Sequence, residues 1–455
     1  MNSNKALLEL GTEPIGKLLM RYAVPAIIAM AASSVYNIID GIFIGQGVGT
    51  EALNGLAITM PLMTLTAAFG AMVGVGASTL LSVKLGERDY SQAEFILGNE
   101  VAMNLILGIG LSAILIPFLD PILTFFGASS VTLPYARDFM QTILIGNVVT
   151  HLYLGLNAML RSISKPRFAM FATVASVFFN IIFAPIFIFV LGWGIRGAAL
   201  ATILAQVIVL IGQIRIFINP KEIIHFKRGI YRLRKRIIMA SLGIGLSPFL
   251  INLCSCLLVI IINRSMVSYG GDTAVGAFGI VNRLIFLIVM IVIGLNQGMQ
   301  PIAGFNYGAR KYDRLIEVLR KATVFATIIT TIGFIIGTFF PHACARAFTN
   351  DSDLIEKAAY GFRITVLFFP IIGMQMVVTS FFQSIGQAGK SIFLSLTRQL
   401  LFLLPLVAIL PHFFGLHGVW LSMPFSDLIA SVVAFVMILK ALKKFKKKQI
   451  TENNE

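Results

Sequence analysis

Residues 18–45, LLMRYAVPAIIAMAASSVYNIIDGIFIG, carry Pro25 in their first third and a lone carboxylate, Asp40, deep inside an otherwise apolar run. As a helix the stretch is long enough to cross a bilayer. Ser33, Tyr36, Asn37 and Asp40 recur at steps of three and four residues and so share one face, while Val24, Ile28, Val35, Ile39 and Phe43 cover much of the remainder. Such a polar stripe faces protein or water rather than lipid. An ionised carboxylate near the bilayer centre costs at least ~2.5 kcal/mol on insertion scales, so Asp40 is expected to take up a proton or to meet a cation. The plainer alternative is a helix-packing hydrogen bond, or a carboxylate near the outer interface.

The rest of the chain has the same character. Of its 455 residues 57% are hydrophobic and 12% charged, and the mean hydropathy is +0.88. This composition is too apolar for an ordinary soluble surface and points to an all-α polytopic membrane protein. The formal net charge of +16 would suggest nucleic acid in a soluble chain. Here the Lys and Arg residues collect in short segments between apolar spans, where they set orientation, and nucleic-acid binding is not expected. Cys254, Cys256 and Cys344 are too few and too apolar in context for a disulfide framework. The lead-in 1–17 lacks a compact apolar run with a small-residue cleavage site and reads as a cytoplasmic segment.

Working outward, apolar spans fall at 18–45, 53–83, 94–119, 132–160, 168–190, 198–218, 241–268, 273–303, 318–342, 359–384, 391–412 and 418–440, about twelve crossings. With the N-terminus inside, Lys84 and Arg88, then Arg161, Lys165 and Arg167, then the run Lys221 to Arg236, then Arg310, Lys311 and Arg314, and finally the tail 441–455 all lie on the cytoplasmic face. Both termini are then cytoplasmic, as the positive-inside rule requires. The basic linker 219–240 separates an N-terminal six-helix lobe, 18–218, from a C-terminal one, 241–440.

The two halves repeat one another. At an offset of 222, Gly76 matches Gly298, LGERDY at 85–90 matches YGARKY at 307–312, and LRSIS at 160–164 matches FQSIG at 382–386. Further along the offset falls by one or two, yet GIRG at 194–197 still faces GLHG at 415–418 and Pro185 faces Pro405. Common order and spacing indicate an internal duplication. Two parallel six-helix repeats with the same inside start are the geometry of an alternating-access transporter.

Several stretches carry a family resemblance. YNIIDGIFIG closing the first span, the loop LGERDYSQAE, Arg161 with Lys165 and Pro166 after the fourth span, NIIFAPIFIF in the fifth, and GIRGAALAT opening the sixth together resemble the multidrug and toxic compound extrusion family. The likeness covers nearly the whole chain and is closest to the bacterial branch with its cation site in the N-terminal lobe. It implies a V-shaped pair of pseudo-symmetric six-helix lobes in the bacterial plasma (inner) membrane. It also implies export of small amphipathic, often cationic organic compounds against entering protons or sodium. Asp40 sits where that branch has its first-helix acid, Asn180 where it has the fifth-helix amide, and Thr202 where it has the sixth-helix hydroxyl. The branch places a further acid four residues after the amide; here that position is Ala184, followed by Pro185. Sodium wants several hard oxygens and compensating charge. With one acid missing, proton coupling through Asp40 is the preferred expectation. Proton uptake in an outward-open state would relax the local helix and release the drug.

Tyr36 and Asn37 are expected either to orient Asp40 or to pack beside it, and Pro25 and Pro185 to act as hinges or as static kinks. Asp427 in the twelfth span is expected to pair with Arg398 or Arg283, as a structural ion pair more readily than as a second coupling site. Arg283, Gln297 and Gln300 are candidates to line a cavity, Glu100 is expected to be solvated, and His151 to make a core hydrogen bond. Gly74 and Gly76 read as close helix contacts. No cofactor beyond the coupling ion, no metal cluster and no enzymatic constellation is expected, and the chain is expected to be a monomer. A lipid or lipid-linked saccharide flippase is the alternative function; it would call for a strongly basic central cavity. A passive channel fits the duplication less well.

Overall fold

The computed structural model describes residues 3–453, apart from the side chains of residues 3–6, 37 and 451–453. Among the described residues there is no strand. Nine of the described helices are long and apolar enough to cross a membrane, and two further described pairs qualify when each bent pair is taken as one span. The longest of the nine, Lys235–Gly308, is interrupted at Gly271, whose φ of 68° leaves the helical region, so it holds two crossings. Twelve crossings result, as the hydropathy pattern predicts.

They are α1 (Ile15–Gly47), α2 (Thr50–Gly86), α3 (Tyr90–Leu115), α4 (Leu133–Ile145 with Asn147–Ser162), α5 (Pro166–Pro185, continued by a π-turn over Ile186–Val190) and α6 (Gly194–Ile218). The second set is α7 (235–270), α8 (272–308), α9 (Tyr312–Phe339), α10 (Ser352–Thr365 with Phe369–Ser384), α11 (Ala388–Leu396, a π-helical stretch Thr397–Leu403, and Leu404–Phe414) and α12 (Leu416–Asn453). A short helix, Ser3–Thr12, precedes α1. The predicted linker 219–240 ends early, because α7 starts at Lys235, and the predicted tail continues α12.

The duplication is visible in the backbone. At the offset of 222, Arg88 and Arg310 both take positive φ, 61° and 56°, as do Ser164 at 64° and Gly386 at 73°, and Gly49 and Gly271. Left-handed backbone costs a non-glycine residue about 1 kcal/mol or more, so its recurrence at matched loop positions reflects one turn geometry used twice. The fourth helix of each repeat is bent in the same place, by 56° in α4 and 58° in α10. The fifth helix of each contains a π-helical stretch close to its proline, Pro185 or Pro405.

Two compact units emerge whose bounds differ from the hydropathy lobes 18–218 and 241–440. The first comprises the stretch ending at Thr12 and Ile28–Phe249; the second comprises Glu13–Ile27 and Leu250–Glu455. Residues 235–249 thus belong with the first repeat and residues 13–27 with the second, again matched at an offset of 222. Glycine permits both attachments. Within the first unit a Cβ on Gly76 would lie 1.9 Å from the Ser241 carbonyl oxygen; within the second, one on Gly298 would lie 2.5 Å from the Ala23 backbone nitrogen.

Candidate coupling-ion site

The first unit presents Asp40 inward. On α1, Ile28, Val35, Ile38 and Ile42 are exposed, whereas Asp40 is 6% exposed. Three elements bring partners to its level. Pro185 ends the regular part of α5 and the following π-turn replaces the four-residue ladder, with Leu191 N–H donating to the Ile186 carbonyl at 2.9 Å. Gly47 closes α1 against that turn: a Cβ there would come within 2.4 Å of Ile188. Gly197 brings the start of α6 to the same place, where a Cβ would lie 2.9 Å from the Phe187 carbonyl oxygen. At ~1.5 Å per residue, Asp40 and Asn180 sit roughly 10–12 Å back from this junction along their helices.

Thr202 is the hub of the polar cluster. Its hydroxyl donates to the Ala198 carbonyl at 3.2 Å, and Oγ1 accepts from Asn180 Nδ2 at 3.0 Å. Tyr36 Oη lies 2.9 Å from the same oxygen. With the Thr202 proton committed to Ala198, the tyrosine hydroxyl is the donor in that pair. Two buried acceptors are left over: Asp40 Oδ1 and Asn180 Oδ1 have no hydrogen-bond partner among the described residues. Buried polar atoms are ordinarily satisfied, so two acceptors left without partners on neighbouring helices single this cluster out as the candidate site. Ala184 is fully buried in an apolar group with Ile44, Ile188 and Ala198, so its position adds no oxygen.

Asp40, Tyr36, Asn180 and Thr202 therefore lie on neighbouring helices of one unit, and the Asn37 side chain lies outside the described residues. Pro25 belongs to the part of α1 assigned to the second unit, two residues before the Ile27–Ile28 boundary. Asp427, 5% exposed, accepts from Arg398 Nε at 2.6 Å, and Arg283 is exposed elsewhere on its helix. His151 is buried with Nε2 2.9 Å from the Thr66 carbonyl oxygen.

Glu100 corrects the sequence reading. It is completely buried, accepts from Asn104 Nδ2 at 2.6 Å and keeps Oε2 without a partner among the described residues. It packs on Gly155, where a Cβ would fall 1.7 Å from its Oε1. An amide one helical turn from an acid on an apolar span, opposite a glycine-bearing helix, was the available signal. No cluster of three or more His, Cys, Asp or Glu suited to a metal occurs among the described residues.

The MatE family model matches residues 25–186 and again 238–409, one copy on each repeat. The chain belongs to the MATE family. Among MATE relatives, the multidrug export protein MepA of Staphylococcus aureus is 26% identical over 93% of this chain and 94% of its own length. A multidrug resistance MATE family transporter of the MOP superfamily, solved in an outward-facing conformation, superposes with a TM-score of 0.91 at 25% identity, covering 97% of this chain and 99% of that one. A MATE structure in a bent conformation gives 0.92 at 25% identity, over 97% and 98% of the two chains. MATE membership makes the chain a multi-pass membrane transporter and gives the twelve helices their setting.

Proposed function

We propose that this transporter exports small amphipathic, often cationic organic compounds by antiport, with Asp40 as the coupling carboxylate and the proton as the coupling ion. The observation that supports this reading is the buried, partnerless Asp40 Oδ1 beside the Tyr36, Thr202 and Asn180 cluster. A neutral carboxylic acid is tolerated there, whereas an ionised one finds no donor at Oδ1 and no ion pair among the described residues to offset its lost hydration. Loading and unloading a proton therefore changes the energy of this part of α1 between two states, which is what coupling requires. Sodium is the second reading, favoured by the two orphaned acceptor oxygens and opposed by alanine at 184. The termini and the 219–234 connector are assigned to the cytoplasmic face of the bacterial plasma membrane from the distribution of Lys and Arg.

The test is efflux of a cationic dye from proteoliposomes under separately imposed proton and sodium gradients, for the wild type and Asp40→Asn. Proton-driven efflux that Asp40→Asn reduces to background, with the variant still inserted in the membrane, is expected. Undiminished gradient-driven efflux by Asp40→Asn overturns the assignment, and efflux driven by sodium alone replaces the proton.

A further inference from the structure

A cavity of about 340 Å³ lies within the first unit, between the start of α3 and the connector that joins α6 to α7. Lys227, Arg228, Arg232 and Arg234 line it together with one carboxylate, Glu94, and the ring of Phe95. Glu94 is already engaged by Lys227 at 2.5 Å. The Arg234 guanidinium stacks 3.1 Å from the centre of the Phe95 ring, which fixes its plane. Arg228 and Arg232 are exposed and pair with no carboxylate among the described residues. Three guanidinium groups thus line one space whose single lining carboxylate is already paired with Lys227.

The connector is held in this form rather than draped over the surface. The side chain of Asn99 pins it at three points: Nδ2 donates to the Arg232 carbonyl at 3.0 Å and to the Ile230 carbonyl at 3.4 Å, and Oδ1 accepts from Arg234 N–H at 2.8 Å. Gly98 allows the approach, since a Cβ there would lie 2.3 Å from the Ile230 oxygen. Like-charged guanidinium groups carried on one pinned backbone repel one another unless an anion sits between them, and their planar forks match phosphate oxygens in pairs. Flanking Arg232, Tyr231 and Leu233 are 44% and 49% exposed. Apolar and aromatic side chains beside basic ones, next to the ends of spanning helices, are the pattern of a membrane–water boundary.

We propose that this cavity binds the phosphate of an anionic phospholipid headgroup, with Arg228 and Arg232 as its principal contacts, Arg234 as a stacked third, and Tyr231 and Leu233 against the acyl region. The site is independent of Asp40. Its test is native mass spectrometry of the full-length protein with phosphatidylglycerol or phosphatidylcholine, for the wild type, Arg228→Gln/Arg232→Gln, and a control pair in the basic tail, Lys443→Gln/Lys446→Gln. The wild type is expected to retain phosphatidylglycerol in preference to phosphatidylcholine, with about a fivefold loss for each arginine removed and no change in the tail variant. Equal losses in the two double variants mean a diffuse basic surface and overturn the site. So does unchanged retention without Arg228 and Arg232, or equal retention of the two lipids. Displacement of the lipid by millimolar inorganic phosphate would instead identify a free-anion site and overturn the lipid.

Discussion

The two repeats carry the same backbone but different polar interiors. In the first, Tyr36, Asp40, Asn180 and Thr202 form a cluster with two acceptors that find no partner among the described residues. At the matching offsets the second repeat has Leu258, Ile262, Leu400 and Met423. Leu258 and Ile262 lie in its apolar core, and Met423 packs against that core. The second repeat instead buries Asp427 with Arg398, where the first has Gln206 and Phe178. Each repeat therefore holds an acid that the other lacks. The difference lies in the partner: Asp427 has its counter-ion in hand and is suited to hold helices together, while Asp40 forms no ion pair among the described residues and keeps Oδ1 without a hydrogen bond there. Duplication supplied two equivalent scaffolds, and side-chain substitution made one of them polar at the level of Asp40 and the other apolar.

This contrast predicts opposite responses to mutation. Arg398→Met should strand the Asp427 charge and cost ~3–5 kcal/mol, whereas Arg398→Met/Asp427→Leu should recover most of that loss. Thermal unfolding in detergent reads both, and an Arg398→Met protein as stable as wild type would remove the structural role of the pair. Asp40→Leu, by contrast, is expected to leave stability unchanged or raised while efflux disappears.

A smaller effect tests whether the scaffolds are equivalent. Gly76→Ala and Gly298→Ala should each cost about 1–3 kcal/mol, because backbone rather than a flexible side chain meets the new methyl group. A loss at one position alone would mean that the matched contacts do unequal work. The smallest change expected is Thr202→Val, which removes the acceptor shared by Tyr36 and Asn180. It should lower stability by about 1–2 kcal/mol and slow proton-driven efflux without abolishing it. Melting temperature and efflux rate measured on the same preparation separate those two consequences.

Much of this was legible in the chain itself. Hydropathy and the 222-residue repeat determined the number of crossings, the paired loops and the polar face of α1, because helical periodicity and bilayer thickness are local constraints written along the sequence; the paired bends of the fourth helices appeared only in the structure. Partners depend on contacts between residues far apart in the chain, and these only the packed structure decided. It chose Arg398 over Arg283 for Asp427, made Thr202 the shared oxygen of the cluster, and buried Glu100 against Gly155. It also assigned residues 13–27 to the second unit and 235–249 to the first. A one-dimensional pattern tells which face of a helix is polar; what meets that face depends on close approaches such as those at Gly47, Gly155 and Gly197, which no local period encodes.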